Sequence, residues 1–145
     1  MCNGCNVALP TDQFAERLLG ILNGSGLAMM ISIGHRTGLL DVMAQLPPAS
    51  SNDIAVAAGL NERYVREWLG AMVTGQLMNY DPENRVYHLP EEHAAVLTRA
   101  AAPNNLAGVM QWVSVLASVE DKIIECFHEG GGLRYEDYGL SLIHI

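Results

Sequence analysis

A mainly α fold, with a winged helix-turn-helix and a two-stranded β-wing at its centre, is predicted by three observations. Between Ser51 and Leu89, two helix-patterned segments are followed by two short extended runs. Capping and turn residues fall at the boundaries of those segments. Apolar segments at helical spacing flank the block on both sides, the longest of them towards the C-terminus. Helix, turn, helix, hairpin is the order of a winged helix.

Each element of the central block has local support. Ser50-Ser51-Asn52-Asp53 places a hydroxyl and a carboxylate three residues apart, the pattern of a capping box. A short helix follows through Ile54, Ala57 and Ala58, and Gly59 ends it where the chain must turn left-handed. Asn61 is placed to cap a second helix. There Val65, Trp68, Leu69, Met72 and Val73 fall on one face, and Gly75 closes it. The extended runs are Leu77–Tyr80 and Arg85–Leu89. Asp81-Pro82-Glu83-Asn84 lies between them, with proline where a type I turn favours it.

Before this block, Phe14, Leu18, Ile21 and Leu22 form an apolar stripe. Asn23-Gly24-Ser25-Gly26 is expected to interrupt that helix. A nucleotide-binding role for these glycines would need a strand before them, and the preceding pattern is helical. Leu27 to Ile33 is apolar almost all round, which predicts burial, against a partner chain as well as within the domain. Gly38 breaks this segment, Leu39 to Met43 starts a further short helix, and Pro47-Pro48 ends that one. After the wing, Glu91 to Thr98 reads as a short helix and Ala100 to Pro103 as a loop, with proline placed to open the next helix. Leu106, Val109, Met110, Val113, Leu116, Ile123, Ile124 and Phe127 are then linked by separations of three, four and seven residues. They predict one long helix from Pro103 to His128, roughly 39 Å at about 1.5 Å per residue. That exceeds what a small domain covers.

Charge decides how the central motif is read. From Ser51 to Arg99 there are four arginines (Arg63, Arg66, Arg85, Arg99). Against them stand Asp53, Glu62, Glu67, Asp81, Glu83, Glu91 and Glu92. The second helix, which would enter a major groove, balances its two arginines with two glutamates, and the wing tip is acidic. Phosphate contact dominates duplex affinity, so a DNA-binding role is disfavoured. The whole chain carries a formal net charge of −8 over 145 residues, a length that suits one domain. No apolar run reaches the roughly 18 residues that a membrane span needs. The N-terminus lacks a basic region before an apolar core, which makes the cytoplasm the default compartment.

Catalytic and metal motifs are missing from the pattern. Cys2 and Cys5 form a C-x-x-C pair, but no second pair or suitably spaced histidine completes a zinc site, and Cys126 lies far away. A reduced pair in a disordered terminus, residues 1–10, is the expectation. The histidines His35, His88, His93, His128 and His144 form no H-E-x-x-H, and no G-x-S-x-G elbow occurs. Glu91-Glu92 and Glu120-Asp121 read as solvated helix faces. No catalytic residue and no metal ligand is assigned.

The order of these motifs resembles the N-terminal portion of S-adenosylmethionine-dependent methyltransferases of the small-molecule type that carry a winged-helix dimerisation domain. The stretches that carry the resemblance are Phe14–Leu22, Ser32–Asp41, Ile54-Ala55, Gly59–Leu69 and Val86–Pro90, then Phe127 with Gly130-Gly131-Gly132, Tyr135 and Tyr138. Together they run from about residue 11 to 139. The resemblance implies a dimerisation domain over 11–128 with its winged-helix core at 50–89. It implies a linker at 129–139 towards a doubly wound cofactor-binding domain absent from the chain. Ser141 to Ile145 departs from the family pattern, and 140–145 is expected to be a non-native tail of a truncated gene product. The implied cofactor of the full-length enzyme is S-adenosyl-L-methionine. The implied partners are a second subunit and a small-molecule methyl acceptor, with neither nucleic acid nor membrane.

Site residues follow from the resemblance alone. Tyr135 and Tyr138, in the loop after the last helix, are candidates to contact the cofactor, with plain loop packing an equal alternative. Met30 and Trp112 are candidates to line the acceptor pocket, with core packing as the alternative. His35 is a third candidate, its alternative being a role at a helix terminus. The isolated chain is expected neither to transfer methyl groups nor to bind the cofactor tightly. A winged-helix transcription regulator dimerised by its long helix, and a freestanding interaction module, are the competing readings.

Overall fold

The computed structural model describes residues 8–139, and within them the predicted fold class is found. The helix-turn-helix consists of α3 (Ser51–Ala58) and α4 (Glu62–Thr74), and the wing of β1 (Asn79–Asp81) and β2 (Val86–His88). The strands pair antiparallel, with Tyr80 opposite Tyr87 and their rings 4.6 Å apart. Before the motif come α1 (Thr11–Thr37) and α2 (Leu39–Met43). After it come α5 (Glu91–Leu97), a 3-10 turn at Arg99–Ala101, α6 (Leu106–Val109), α7 (Gln111–Ala117), α8 (Glu120–Glu129) and a second 3-10 turn at Tyr135–Tyr138.

The boundary chemistry works as the sequence suggests. Ser50 Oγ accepts the backbone N–H of Asp53 at 3.2 Å and donates to that residue's carboxylate at 2.6 Å. Asn61 Oδ1 accepts the N–H of Arg63 at 3.1 Å. Gly59 ends α3 at φ +65°, a conformation that costs glycine little. At the wing tip the Asp81 carboxylate accepts the N–H groups of both Glu83 and Asn84. The strands are shorter than the extended runs. After α4 the chain reverses through Gln76 at φ +60°, and Arg85 at φ +54° delays re-entry into the ladder. One pairing was not legible: Ala49, just after the double proline, bridges to Tyr87 and extends the wing.

Ile54, Val65, Leu69 and Met72 from the helix-turn-helix, with Leu40 from α2, form the centre of the core. Trp68 joins them and donates its indole N–H to the carbonyl of Met30 at 2.8 Å. This contact ties α4 to α1. Gly34 makes it possible, because a Cβ there would lie 2.5 Å from the indole ring.

Three expectations are corrected. Asn23-Gly24-Ser25-Gly26 does not interrupt the first helix, and α1 runs unbroken for 27 residues. Each glycine costs a helix only about 1 kcal/mol, and no proline removes a donor here. Ser25 Oγ also bonds back to the carbonyl of Ile21 at 2.9 Å. Continuity has a second consequence: by length and composition α1 could cross a membrane, and only 17% of its most apolar window is buried. Leu27 to Ile33 is not buried all round either, since Met29 and Ile33 face outward. Finally, the single helix from Pro103 to His128 is three segments. Asn105, not Pro103, opens the first, accepting the N–H of Gly108 at 3.3 Å. The main break is at Ser118-Val119, where Val119 adopts φ −115°, ψ 7° and becomes almost fully buried. Burying that valine competes with helix continuity, and apolar spacing alone does not register such a turn.

Candidate functional site

The C-terminal turn of α1 gathers a polar cluster of His35, Asp41 and Arg99. Gly38, at φ +79°, ends the helix and donates its N–H to the carbonyl of His35 at 3.2 Å. The Arg99 guanidinium reaches the same carbonyl and also pairs with the Asp41 carboxylate. The other Asp41 oxygen accepts the backbone N–H of Arg99 at 2.7 Å. One carboxylate on α2 thus joins the segment after α5 to the end of α1. These residues lie 58 positions apart in sequence, so no local pattern announces the contact.

His35 stands half-buried at this junction, and Gly108 of α6 faces it. A Cβ at Gly108 would sit 3.9 Å from its Nε2. Burial lowers the imidazole pKa, the Arg99 charge lowers it further, and Asp41 opposes both. The ring is therefore neutral around pH 7 and able to accept one hydrogen bond and donate another.

Met30 is half-buried and packs against the core. It lines an open cleft of about 670 Å³ with Leu22, Gly24, Leu27, Ala71 and Gly75, where α1 leaves the body of the domain. Neither His35 nor Trp112 reaches that cleft. Met30 and His35 are five residues apart, about 140° round a helix of 3.6 residues per turn, so they look to different sides. Trp112 lies on α7 and remains 39% exposed. The three candidates for an acceptor pocket are therefore not brought round a single cavity by the described residues.

The two tyrosines stand together on the turn at Tyr135–Tyr138. Tyr135 is 68% exposed and Tyr138 half-buried. Gly130 and Gly131, both at positive φ, lead the chain there from α8. The turn is held by Asp137, which bonds Lys122 of α8 at 2.5 Å and accepts the N–H of Arg134 at 2.8 Å. The Lys122 bond is the main reason the Asp137 carboxyl titrates below its ordinary range. A shallow cleft of about 230 Å³ lies between α8 and this turn, lined by Lys122, Glu125, Cys126 and Asp137 among others; the tyrosines face elsewhere. Cys2 and Cys5 fall outside the described residues, as does the tail at 140–145. Among the described residues, no three His, Cys, Asp or Glu side chains converge as a metal ion would require.

The helix-turn-helix, its wing and the packed half of α1 match the model of the Rv2258c-like winged HTH domain over residues 25–99, just over half of the chain. The chain belongs to this winged helix-turn-helix family. No curated protein sequence matches it. Several solved structures do. The dimethyltransferase of N,N-8-amino-8-demethyl-D-riboflavin from Streptomyces davawensis superposes with a TM-score of 0.67 at 19% identity, over 90% of this chain and 36% of that one. Human N-acetylserotonin methyltransferase, in complex with SAM, gives a TM-score of 0.67 at 18% identity, over 93% and 39%. The mitomycin 7-O-methyltransferase gives 0.63 at 17%, over 92% and 37%. At these identities the likeness is one of fold. This member of the winged helix family spans little more than a third of each methyltransferase it resembles.

Proposed function

We propose that this winged-helix domain is the subunit-pairing and substrate-lid part of an S-adenosylmethionine-dependent small-molecule methyltransferase. Its cofactor-binding domain would lie outside these 145 residues. The observation that carries the reading is the fold likeness, which takes in over nine-tenths of this chain but only about two-fifths of human N-acetylserotonin methyltransferase. The acidic surface adds support. Arg66 of α4 is engaged with Glu62 at 3.7 Å, and the wing tip presents Asp81 and Glu83, a poor surface for phosphate. A cytoplasmic location and a homodimer belong to the same proposal.

The cofactor, when bound, supplies an electrophilic sulfonium methyl to an acceptor nucleophile. The described residues make no cradle for it: their only strands, β1 and β2, form the wing, and no glycine loop follows a strand at a helix N-terminus. No step of methyl transfer is therefore derived from this chain. Its own contribution would be positioning and exclusion of water. His35 and Trp112 would face the acceptor from α1 and α7, with Met30 looking to another side of α1, and Tyr135 and Tyr138 would close over the cofactor.

The test compares two measurements on the purified chain. Analytical ultracentrifugation is expected to find a dimer. A gel shift with random duplex DNA at low salt is expected to find no complex. A clear shift that disappears as salt is raised would replace the proposal with a DNA-binding regulator.

A further inference from the structure

The N-terminal half of α1 projects from the domain. Every residue from 8 to 26 is exposed, and the outward face is apolar. Phe14, Leu18, Leu22, Met29 and Ile33 lie along it with exposures of 43% to 68%, Ser25 completing the row. Their spacing is four, four, three, four and four residues, the same from either end.

We infer that this face is the seat of subunit pairing: α1 binds α1 of a second copy, antiparallel, about a two-fold axis near Asn23-Gly24. The inference rests on the pairing role proposed above and adds its location and register. A two-fold interface must be self-complementary, each contact occurring twice. Reversal of α1 about that axis sets Phe14 against Ile33, Leu18 against Met29 and Leu22 against Ser25. Large side chains thus face small ones where the helices come closest, and large face large further out. The end contact has a receptacle. Ile33, Leu60, Tyr64 and Trp68 help line an apolar cavity of about 220 Å³ beside α4. That is several times the roughly 30 Å³ share of one water molecule, and Phe14 of the other copy would enter it. The area also suits. A side chain this exposed presents on the order of 100 Å², so these apolar residues with Tyr64 would bury roughly 1,200–1,400 Å² across a pair, within the range of stable interfaces. The other apolar face, on α6 to α8, is split by the turn at Val119 and has no such symmetry.

The experiment uses the 145-residue chain with Cys2, Cys5 and Cys126 replaced by serine. Phe14→Cys with Ile33→Cys is expected to give a covalent dimer on mild oxidation. Within one helix the two positions are about 28 Å apart, far beyond a disulfide's reach. Phe14→Cys alone is expected to stay uncrosslinked. Leu18→Glu, at a half-exposed position, is expected to remain helical by circular dichroism and to sediment as one chain mass instead of two. A dimer untouched by Leu18→Glu would overturn the assignment to α1 while leaving subunit pairing intact. Cross-linking of Phe14→Cys to itself would overturn the antiparallel register. A wild-type chain that is monomeric would remove both the inference and the pairing role. A monomer that instead floats with phosphatidylcholine vesicles would give the face to a lipid surface.

Discussion

The helix-turn-helix and the projecting half of α1 are both rich in apolar side chains, and they place them in opposite ways. Ile54, Val65, Leu69 and Met72 are enclosed where α3 and α4 pack on each other and on α1 and α2, whereas Phe14, Leu18, Ile21 and Leu22 stand about half-exposed or more. Composition does not separate the two regions. What separates them is return contact: α4 is covered from several directions, and the first sixteen or so residues of α1 are covered from none. The centre is therefore organised for folding and the arm for association. Substitutions should read out that division. Leu69→Ala is expected to cost about 2–5 kcal/mol, the usual range for deleting a buried leucine, and to lower the thermal midpoint accordingly. Leu22→Ala is expected to change the monomer's unfolding free energy by no more than about 0.5 kcal/mol, surface positions being tolerant. Equal losses would mean that the arm belongs to the fold.

A finer comparison lies between two glycines that each touch a large side chain. A Cβ at Gly34 would meet the indole of Trp68 at 2.5 Å, inside the core and against a ring held by its bond to Met30. A Cβ at Gly75 would meet the two methyl ends of Leu27 at 2.5 and 2.7 Å, beside the open cleft. The leucine can rotate into that space; the tryptophan has nowhere to go. Gly34→Ala is expected to cost about 1–3 kcal/mol by overpacking and to change the near-ultraviolet circular dichroism of the tryptophans. Gly75→Ala is expected to cost less than half as much. Chemical denaturation of the two variants orders them, and a reversed order would show that the cleft is filled in solution.

Legibility in the sequence follows the same division. Signals between residues a few positions apart were readable: Ser50 and Asp53, Gly59, Asn61, and the face of Val65, Trp68, Leu69 and Met72 all do what their spacing implies. Long-range geometry was not. Nothing near Arg99 indicates that it closes onto Asp41 and His35, and nothing near Val119 indicates that burying it turns the chain. The glycines of α1 misled for a related reason. Their local cost is real but small, and a helix with apolar residues on both sides of them absorbs it. The candidate site was legible only as residue types. Met30, His35, Trp112, Tyr135 and Tyr138 lie on α1, α7 and the final turn, and the described residues do not converge them on one point.

Capping offers a smaller effect that tests whether the centre relies on its ends. Ser50 supplies the side-chain cap of α3, an eight-residue helix too short to stand alone. Ser50→Ala is expected to cost about 1 kcal/mol by urea denaturation, and Ser50→Asp to restore most of it. A loss confined to the alanine variant would place the cap, not the hydroxyl's bond to Asp53, as the stabilising element.

The smallest expected effect is at the wing tip, where a half-exposed aspartate organises a turn. Asp81 receives the side-chain amide of Asn84 at 2.7 Å, which is the first cause of its lowered pKa, and the backbone N–H groups of Asn84 and Glu83 add to it. A carboxyl whose folded pKa lies below its unfolded value stabilises the fold at pH above the unfolded value. That contribution is lost as pH falls through the folded one. The turn should therefore hold at neutral pH and loosen only below the ordinary aspartate value of 3.8. Two-dimensional NMR would follow it through the amide shifts of Glu83 and Asn84, expected to move together at a midpoint below that value. In Asp81→Asn, whose side-chain oxygen still accepts but does not titrate, both amides should stay flat across the same range. A midpoint at or above 3.8 would mean that the turn is held by Pro82 and the Tyr80–Tyr87 contact, with Asp81 a bystander.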